Sequence, residues 1–388
     1  MSGVAARRDE SCWVEVDLDA IRGNVAIARR VSGTAVMAVV KADGYGHGAV
    51  PVARAALDGG ATWLGVARAG EALQLRAAGI ETPLLMLGYT PPGAMTELVA
   101  ADVSLTIWTT AHLEQASAAA ATARRPASVH LKIDTGMTRV GVRPEDARAL
   151  ATQLVTSEDV VLQGIFTHFA CADEPDPSAG VTAGQQQRFA ATLTSVAPVF
   201  AELDAAGRPR PLVHAANSAA TFAVPEAAHD LVRFGIAMYG LSPGEAVRLP
   251  DGVRPALRWS TVLARVEQVP PGEGVSYGHR YHTTARQRIG TIPVGYADGW
   301  RRVDGNEVLV GGRRVPVLGR VCMDQCMIDL DGVPEAEIGD EVVLIGSQDG
   351  AGGTDRITAD DVAARWGTIG YEVVCGIGRR VPRFSDHA

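Results

Sequence analysis

The sequence predicts an α/β chain. An N-terminal (β/α)₈ barrel of the TIM type is followed by a mainly β C-terminal domain. Three observations carry this. Eight short runs rich in β-branched residues alternate with Ala- and Leu-rich helical stretches over the first two-thirds of the chain. The texture then changes near residue 245, where Pro and Gly concentrate. The length, 388 residues, also calls for two cores, because single cores stop growing beyond about 250–300 residues.

In chain order, the strand runs are 36–40, 63–66, 84–87, 103–108, 129–133, 161–167, 211–214 and 231–234. Helical patterns fall between them, at 18–31, 49–58, 68–78, 111–123 and 144–155. A polar, Pro-bearing stretch at 172–184 precedes a long helix at 185–204. Eight βα units close a barrel. A doubly wound open sheet is the alternative, weakened because no GxGxxG fingerprint follows the first strand. Beyond residue 255 the runs 259–269, 287–294, 307–310, 313–318, 326–330 and 341–345 read as strands, with one helix at 359–366. These boundaries place the barrel at 12–245 and the β domain at 246–388, with the tail 1–11 able to pack against the β domain.

Composition excludes several roles. A net charge of −8 argues against a nucleic-acid partner held through its phosphates. No apolar run reaches 18 residues, so no membrane partner is expected. The opening MSGVAARRDE lacks the apolar centre of a secretory signal, which predicts a cytoplasmic location. Five scattered cysteines form no CxxC pair, so neither a disulfide framework nor a metal site is indicated.

The basic residues are unequal: 34 are arginines and two, Lys41 and Lys132, are lysines. GC-rich coding accounts for the arginines. Arginine cannot replace lysine where chemistry needs an amine that loses its proton. Lys41 ends the first strand run and Lys132 lies within the fifth. At the C-terminal end of a barrel strand a lysine faces the site, and desolvation there exposes a nucleophilic amine. His168 follows the sixth run, Asn217 and Ser218 follow the seventh, and Arg233 lies within the eighth. Each alone could be structural; together they converge on one face of one barrel. The β domain adds Tyr277 beside Gly278, Tyr296 between Gly295 and Ala297, and the run Cys322-Met323-Asp324. No second cluster at metal spacing accompanies that last acid and thiol.

Seven motifs in order, VVKADGYGHG, HLKIDTGMTRVG, HAANS, RFGIAMYG, VSYG, GYADG and GRVCMD, make the chain resemble the bacterial alanine racemases. The resemblance covers nearly its whole length. The departures, Thr138 and the pair His279-Arg280, are small. The resemblance implies a homodimeric, pyridoxal 5′-phosphate (PLP)-dependent isomerase that interconverts L- and D-alanine and supplies D-alanine for peptidoglycan. It implies that Lys41 binds PLP covalently and is one base, and that Tyr277 from the partner subunit is the other. PLP would be held by Tyr45, Leu87, His168, Asn217, Ser218, Arg233, Gly235, Ile236 and Tyr371. Arg139 and Met323 would bind the substrate carboxylate. Lys132, as a carbamate, would orient Arg139, with Tyr296 and Asp324 supporting the site. The alternatives are a racemase of serine or another amino acid, a PLP-dependent decarboxylase of the same architecture, and a PLP carrier. A carrier would be a barrel alone, so the β domain argues against it.

Overall fold

The computed structural model describes residues 9–385. Its chain divides into two compact units, one of residues 19–45 and 49–254, the other of 9–18, 46–48 and 255–385. Residues 1–8 of the expected tail and 386–388 of the expected β domain lie outside the described residues.

The first unit holds a parallel eight-stranded sheet. Its order is Leu212–His214, Val160–Phe166, Ala127–Lys132, Val103–Ile107, Leu84–Met86, Trp63–Val66, Ala35–Val39, Leu231–Phe234. The last strand in sequence pairs with the first, as a barrel requires. The seam between Leu212–His214 and Leu231–Phe234 carries no regular ladder. It is bridged instead by the Asp230 N–H to the Val213 carbonyl and the Arg233 N–H to the Ala216 carbonyl, both 3.0 Å. The Asp230 carboxylate accepts the Val213 N–H at 2.7 Å. Strands such as Val103–Ile107 and Leu84–Met86 are buried at every residue, so that even Ser104 and Thr106 of the former lie inside.

Seven of the eight expected strands lie within a residue or so of the observed ones; the fifth starts two residues early, at Ala127. The long helix begins at Gly180, five residues before the expected start, because Thr182 and Gln185 are buried and bonded rather than part of a polar loop. A further helix, Pro92–Ala100, opens with proline in its first turn, where the missing N–H costs nothing.

The second unit is a ten-stranded, almost wholly antiparallel sheet. Two expectations are corrected here. The strand Cys12–Val16, assigned to the barrel by the boundary 12–245, pairs antiparallel with Leu257–Val262 and parallel with Arg383–Ser385. The run 259–269 is two strands, Leu257–Val262 and Arg265–Val269. The first is mostly buried and the second mostly exposed, so one continuous strand would not suit both environments. Trp259, Trp300 and Trp366 pack edge to face at 5.6 and 5.5 Å between centroids and form the aromatic centre of this unit.

Candidate active site

Within the first unit, the residues singled out from the sequence gather at the C-terminal ends of the strands. Lys41 stands two residues after Ala35–Val39 and opens the turn Lys41–Tyr45. That turn is left-handed: Ala42, Asp43, Gly44 and Tyr45 have φ of 52, 52, 63 and 52°. Non-glycine residues cost roughly 1–2 kcal/mol each in that region, so the surroundings must hold the turn in place. The Gly44 N–H reaches the Val40 carbonyl at 2.9 Å, and the Asp43 carboxylate accepts the Ala49 N–H at 2.8 Å. The turn sets Lys41 Nζ 5.9 Å from the centre of the Tyr45 ring. Tyr45 packs on Tyr239 at 4.9 Å, and the Tyr239 hydroxyl donates to the Val39 carbonyl at 3.0 Å.

Opposite this turn is a polar cradle. Ser218 Oγ accepts the N–H groups of Gly235 at 2.9 Å and Ala237 at 3.4 Å. Asn217 caps the short helix Ser218–Ala223 by accepting the Ala220 N–H at 3.0 Å. A Cβ on Gly235 would stand 2.9 Å from Tyr45 Oη and 3.6 Å from Ser218 Oγ. Glycine therefore leaves a space beside two hydroxyls, which suits a phosphate. Ile236 is buried in the following turn. Leu87 is half-buried directly after Leu84–Met86, its N–H on the Val66 carbonyl at 2.8 Å.

Arg233 is 4% exposed and is the hub of the barrel's polar interior. Its Nη2 donates to the carbonyls of Ala215 at 2.7 Å and Thr167 at 2.8 Å, and to His168 Nδ1 at 3.2 Å. Its Nη1 donates to His214 Nδ1 at 3.0 Å. His214 therefore carries its proton on Nε2 and donates to His130 Nδ1, 2.9 Å away. Burial pushes the guanidinium down to about 9, which leaves it charged at neutral pH. Burial and that charge hold His168 and His214 well below their ordinary range, so both rings are neutral.

Lys132 is 4% exposed, with Nζ 4.2 Å from the centre of the Phe166 ring. Burial first, then the charges of Arg233 and Arg139, bring its amine well below its ordinary value against the opposing pull of Asp134. Arg139 sits on an exposed loop organised by Asp134. The Asp134 carboxylate accepts the N–H groups of Gly136 at 3.0 Å and Thr138 at 2.9 Å, and reaches Arg143 at 3.4 Å. Partial burial acts to raise this carboxyl, but those hydrogen bonds outweigh it and the net shift is downward. Thr135 and Thr167 share a hydroxyl hydrogen bond at 2.7 Å, and Gln185 ties Thr135 to the His168 carbonyl.

The second unit carries the remaining candidates. Tyr277, Met323 and Asp324 line a cleft of about 650 Å³ together with Ser276, His279 and Cys322. Tyr277 is 65% and Met323 52% exposed. Gly295 runs against the backbone of Cys322 and Met323, where a Cβ would meet their carbonyl oxygens at 2.4 and 2.3 Å. The Tyr296 N–H reaches the Cys322 carbonyl and the Ala297 N–H the Met323 carbonyl, both at 3.0 Å. Arg380 fastens the two loops, bonding Asp298 at 2.6 Å and Asp324 at 2.7 Å. Tyr371 lies half-buried on Gly370–Cys375.

Sequence reasoning did not single out His214, Tyr239, Gln185 or Arg380. Two of them stood in quoted motifs, His214 in HAANS and Tyr239 in RFGIAMYG, but their roles depend on contacts made across the fold. Among the described residues, no group of three or more His, Cys, Asp or Glu is arranged to hold a metal ion.

Comparison with known proteins adds to this geometry. The alanine racemase N-terminal domain model matches residues 16–243, and the alanine racemase C-terminal domain model matches 256–385. An alanine racemase of Desulfovibrio desulfuricans is 46% identical over 379 residues, spanning 97% of this chain and 98% of that protein. One of Thermobifida fusca is 46% identical over 374 residues, 95% and 96% respectively. The crystal structure of alanine racemase from E. faecalis superposes with a TM-score of 0.87 at 39% identity, covering 97% of this chain and 98% of that one. That of Streptomyces coelicolor A3(2) gives 0.88 at 41% identity, covering 99% and 100%.

Proposed function

Because this chain belongs to the alanine racemase family, it interconverts L- and D-alanine as a PLP-dependent isomerase, and we propose that Lys41 and Tyr277 are its two opposing bases. The observation that carries this reading is the convergence of Lys41, the Tyr45–Ser218–Gly235 cradle and Arg233 at one end of one barrel.

The residues fit PLP. Lys41 would supply the amine for covalent attachment. Tyr45, Ser218 and the N–H groups around Gly235 and Ile236 would hold the phosphate, with Asn217 fixing the Ser218 helix and Tyr371 assisting. Leu87 and His168 would border the ring. Arg233 would donate to the ring nitrogen, and as a charged donor at neutral pH it would not surrender its proton there. When bound, PLP supplies an electron sink that makes the α-proton of alanine removable. Lys41 then takes or returns the proton on one face of Cα, and Tyr277 serves the other. A phenol needs positive charge or hydrogen bonds nearby to act as a base, which the reading assigns to the network of His168 and Arg233. Arg139 and the Met323 N–H hold the substrate carboxylate so that Cα faces both bases. Lys132, whose buried amine is readily neutral, reacts with CO₂ and steadies Arg139 as a carbamate. Tyr296 lines the entry to the site, and Asp324 supports it.

The reading includes a homodimer with each site completed by Tyr277 of the partner, supported by the 65% exposure of Tyr277 in the single chain. A cytoplasmic location belongs to the same reading. No described helix is long and apolar enough to cross a membrane. Borohydride reduction of the holoenzyme followed by peptide mapping tests the assignment. Pyridoxyl on Lys41 is expected, and label on any other residue overturns it.

A further inference from the structure

The left-handed turn that carries Lys41 is held by a side chain from another loop. The Ala42 N–H donates to Glu71 Oε1 at 2.7 Å. The other carboxylate oxygen of Glu71, Oε2, accepts the N–H groups of Ala67 at 2.9 Å and Arg68 at 3.0 Å. Glu71 stands in the first turn of the helix Ala69–Ala77, so its bond to Arg68 is an ordinary helix cap. Capping accounts for Oε2. It does not account for Oε1, which reaches 29 residues back to the peptide immediately after Lys41. Ala42 has φ 52° and ψ 49°, a conformation an alanine leaves readily unless something holds it. The Asp43–Ala49 and Gly44–Val40 bonds fix the far side of the turn, and Glu71 fixes the side next to Lys41.

We propose that Glu71 is a positioning residue for Lys41: its carboxylate bolts the loop after the first barrel strand to the loop after the second and so fixes the direction in which the lysine side chain leaves the backbone. The inference rests on Lys41 being the residue that binds PLP. It makes a specific prediction about rescue. Glycine adopts the left-handed region without cost. Ala42→Gly therefore lowers the strain that Glu71 works against.

The experiment measures the rate of PLP release from the holoenzyme by absorbance in the presence of a carbonyl scavenger, with thermal unfolding recorded in parallel. Glu71→Ala is expected to speed release by roughly ten-fold or more, because misplacing a bonded group by about an ångström has effects of that order. Ala42→Gly alone is expected to leave release within about two-fold of the parent, and the double variant to recover most of the loss, a non-additivity diagnostic of contact. Glu71→Leu keeps the approximate volume without any acceptor oxygen and gives the same comparison should Glu71→Ala fail to fold. A fall in melting temperature with unchanged PLP release, or the absence of rescue by Ala42→Gly, would overturn the proposal and leave Glu71 a helix cap. Borohydride label on a residue other than Lys41 in the parent protein would overturn the underlying reading and the proposal with it. Label on Lys41 with unchanged release in Glu71→Ala would overturn only the role of Glu71.

Discussion

Lys132 is a cation-former placed where a cation is poorly tolerated, beside Arg233 and within reach of Arg139, in a barrel interior that desolvates it. Replacing it with arginine restores a permanent charge at that spot. Lys132→Arg is therefore expected to retain PLP and to raise KM for alanine roughly ten-fold with a smaller change in kcat, since the loss falls on the orientation of Arg139. Lys41→Arg is expected to abolish covalent PLP attachment altogether, because a guanidinium does not supply a neutral amine; a retained holoenzyme absorbance band would contradict this. Tyr277→Phe is expected to slow α-deuterium incorporation into L-alanine about 100-fold or more, with a smaller effect on D-alanine, as loss of a general base does. Equal losses for the two enantiomers would count against a one-face role. At this scale the sequence was readable where a residue type is chemically irreplaceable. The scarcity of lysine pointed at Lys41 and Lys132 for that reason. His214 and His130 were not readable, because a histidine inside an apolar strand looks the same whether it fills space or relays an arginine's hydrogen bonds.

The loops are where strand ends become a site, and their stiffness is bought by few groups. The Arg139 loop depends on Asp134, whose carboxyl is held below its ordinary value by Thr138, Gly136 and Arg143 despite partial burial. A carboxyl depressed in the folded state contributes stability that is full above its unfolded pKa, about 4, and is lost as pH falls through the folded value. Asp134→Asn preserves an acceptor for both N–H groups and removes the charge. The parent is thus expected to be the more stable at neutral pH, with the difference shrinking as pH falls below about 4 and vanishing only below the still lower folded value, as followed by urea unfolding across pH. A constant difference would show that charge is not what holds the loop. Gly235→Ala is expected to weaken PLP binding roughly ten-fold, since its Cβ would stand 2.9 Å from Tyr45 Oη inside the phosphate cradle. Element type was legible for the barrel strands because they are short, largely buried runs rich in β-branched and apolar residues. Strand partners were not. CWVEV at Cys12–Val16 has a local pattern that fits either unit, and only its long-range pairing with Leu257–Val262 decides between them. The left-handed turn after Lys41 was half visible: its glycines signalled an unusual backbone, but the positive φ of Ala42, Asp43 and Tyr45 depends on bonds such as those from Glu71 and Asp43.

At the scale of the molecule, the barrel unit holds the residues proposed for PLP, Tyr371 excepted, and the β unit holds Tyr277, with Met323 and Tyr296 on two loops locked together by Gly295 and Arg380. The motifs fall in both units, which is why the resemblance ran through nearly the whole sequence. On the proposed mechanism, one racemisation site takes Lys41 from one chain and Tyr277 from its partner. Mixing Lys41→Ala and Tyr277→Phe subunits, each inactive alone, tests it most directly. Random reassembly into dimers should restore racemisation of alanine to about a quarter of the parent rate, because half the dimers are mixed and each has one intact site. Activity no greater than the sum of the separate variants, in dimers shown to have exchanged subunits, would contradict it.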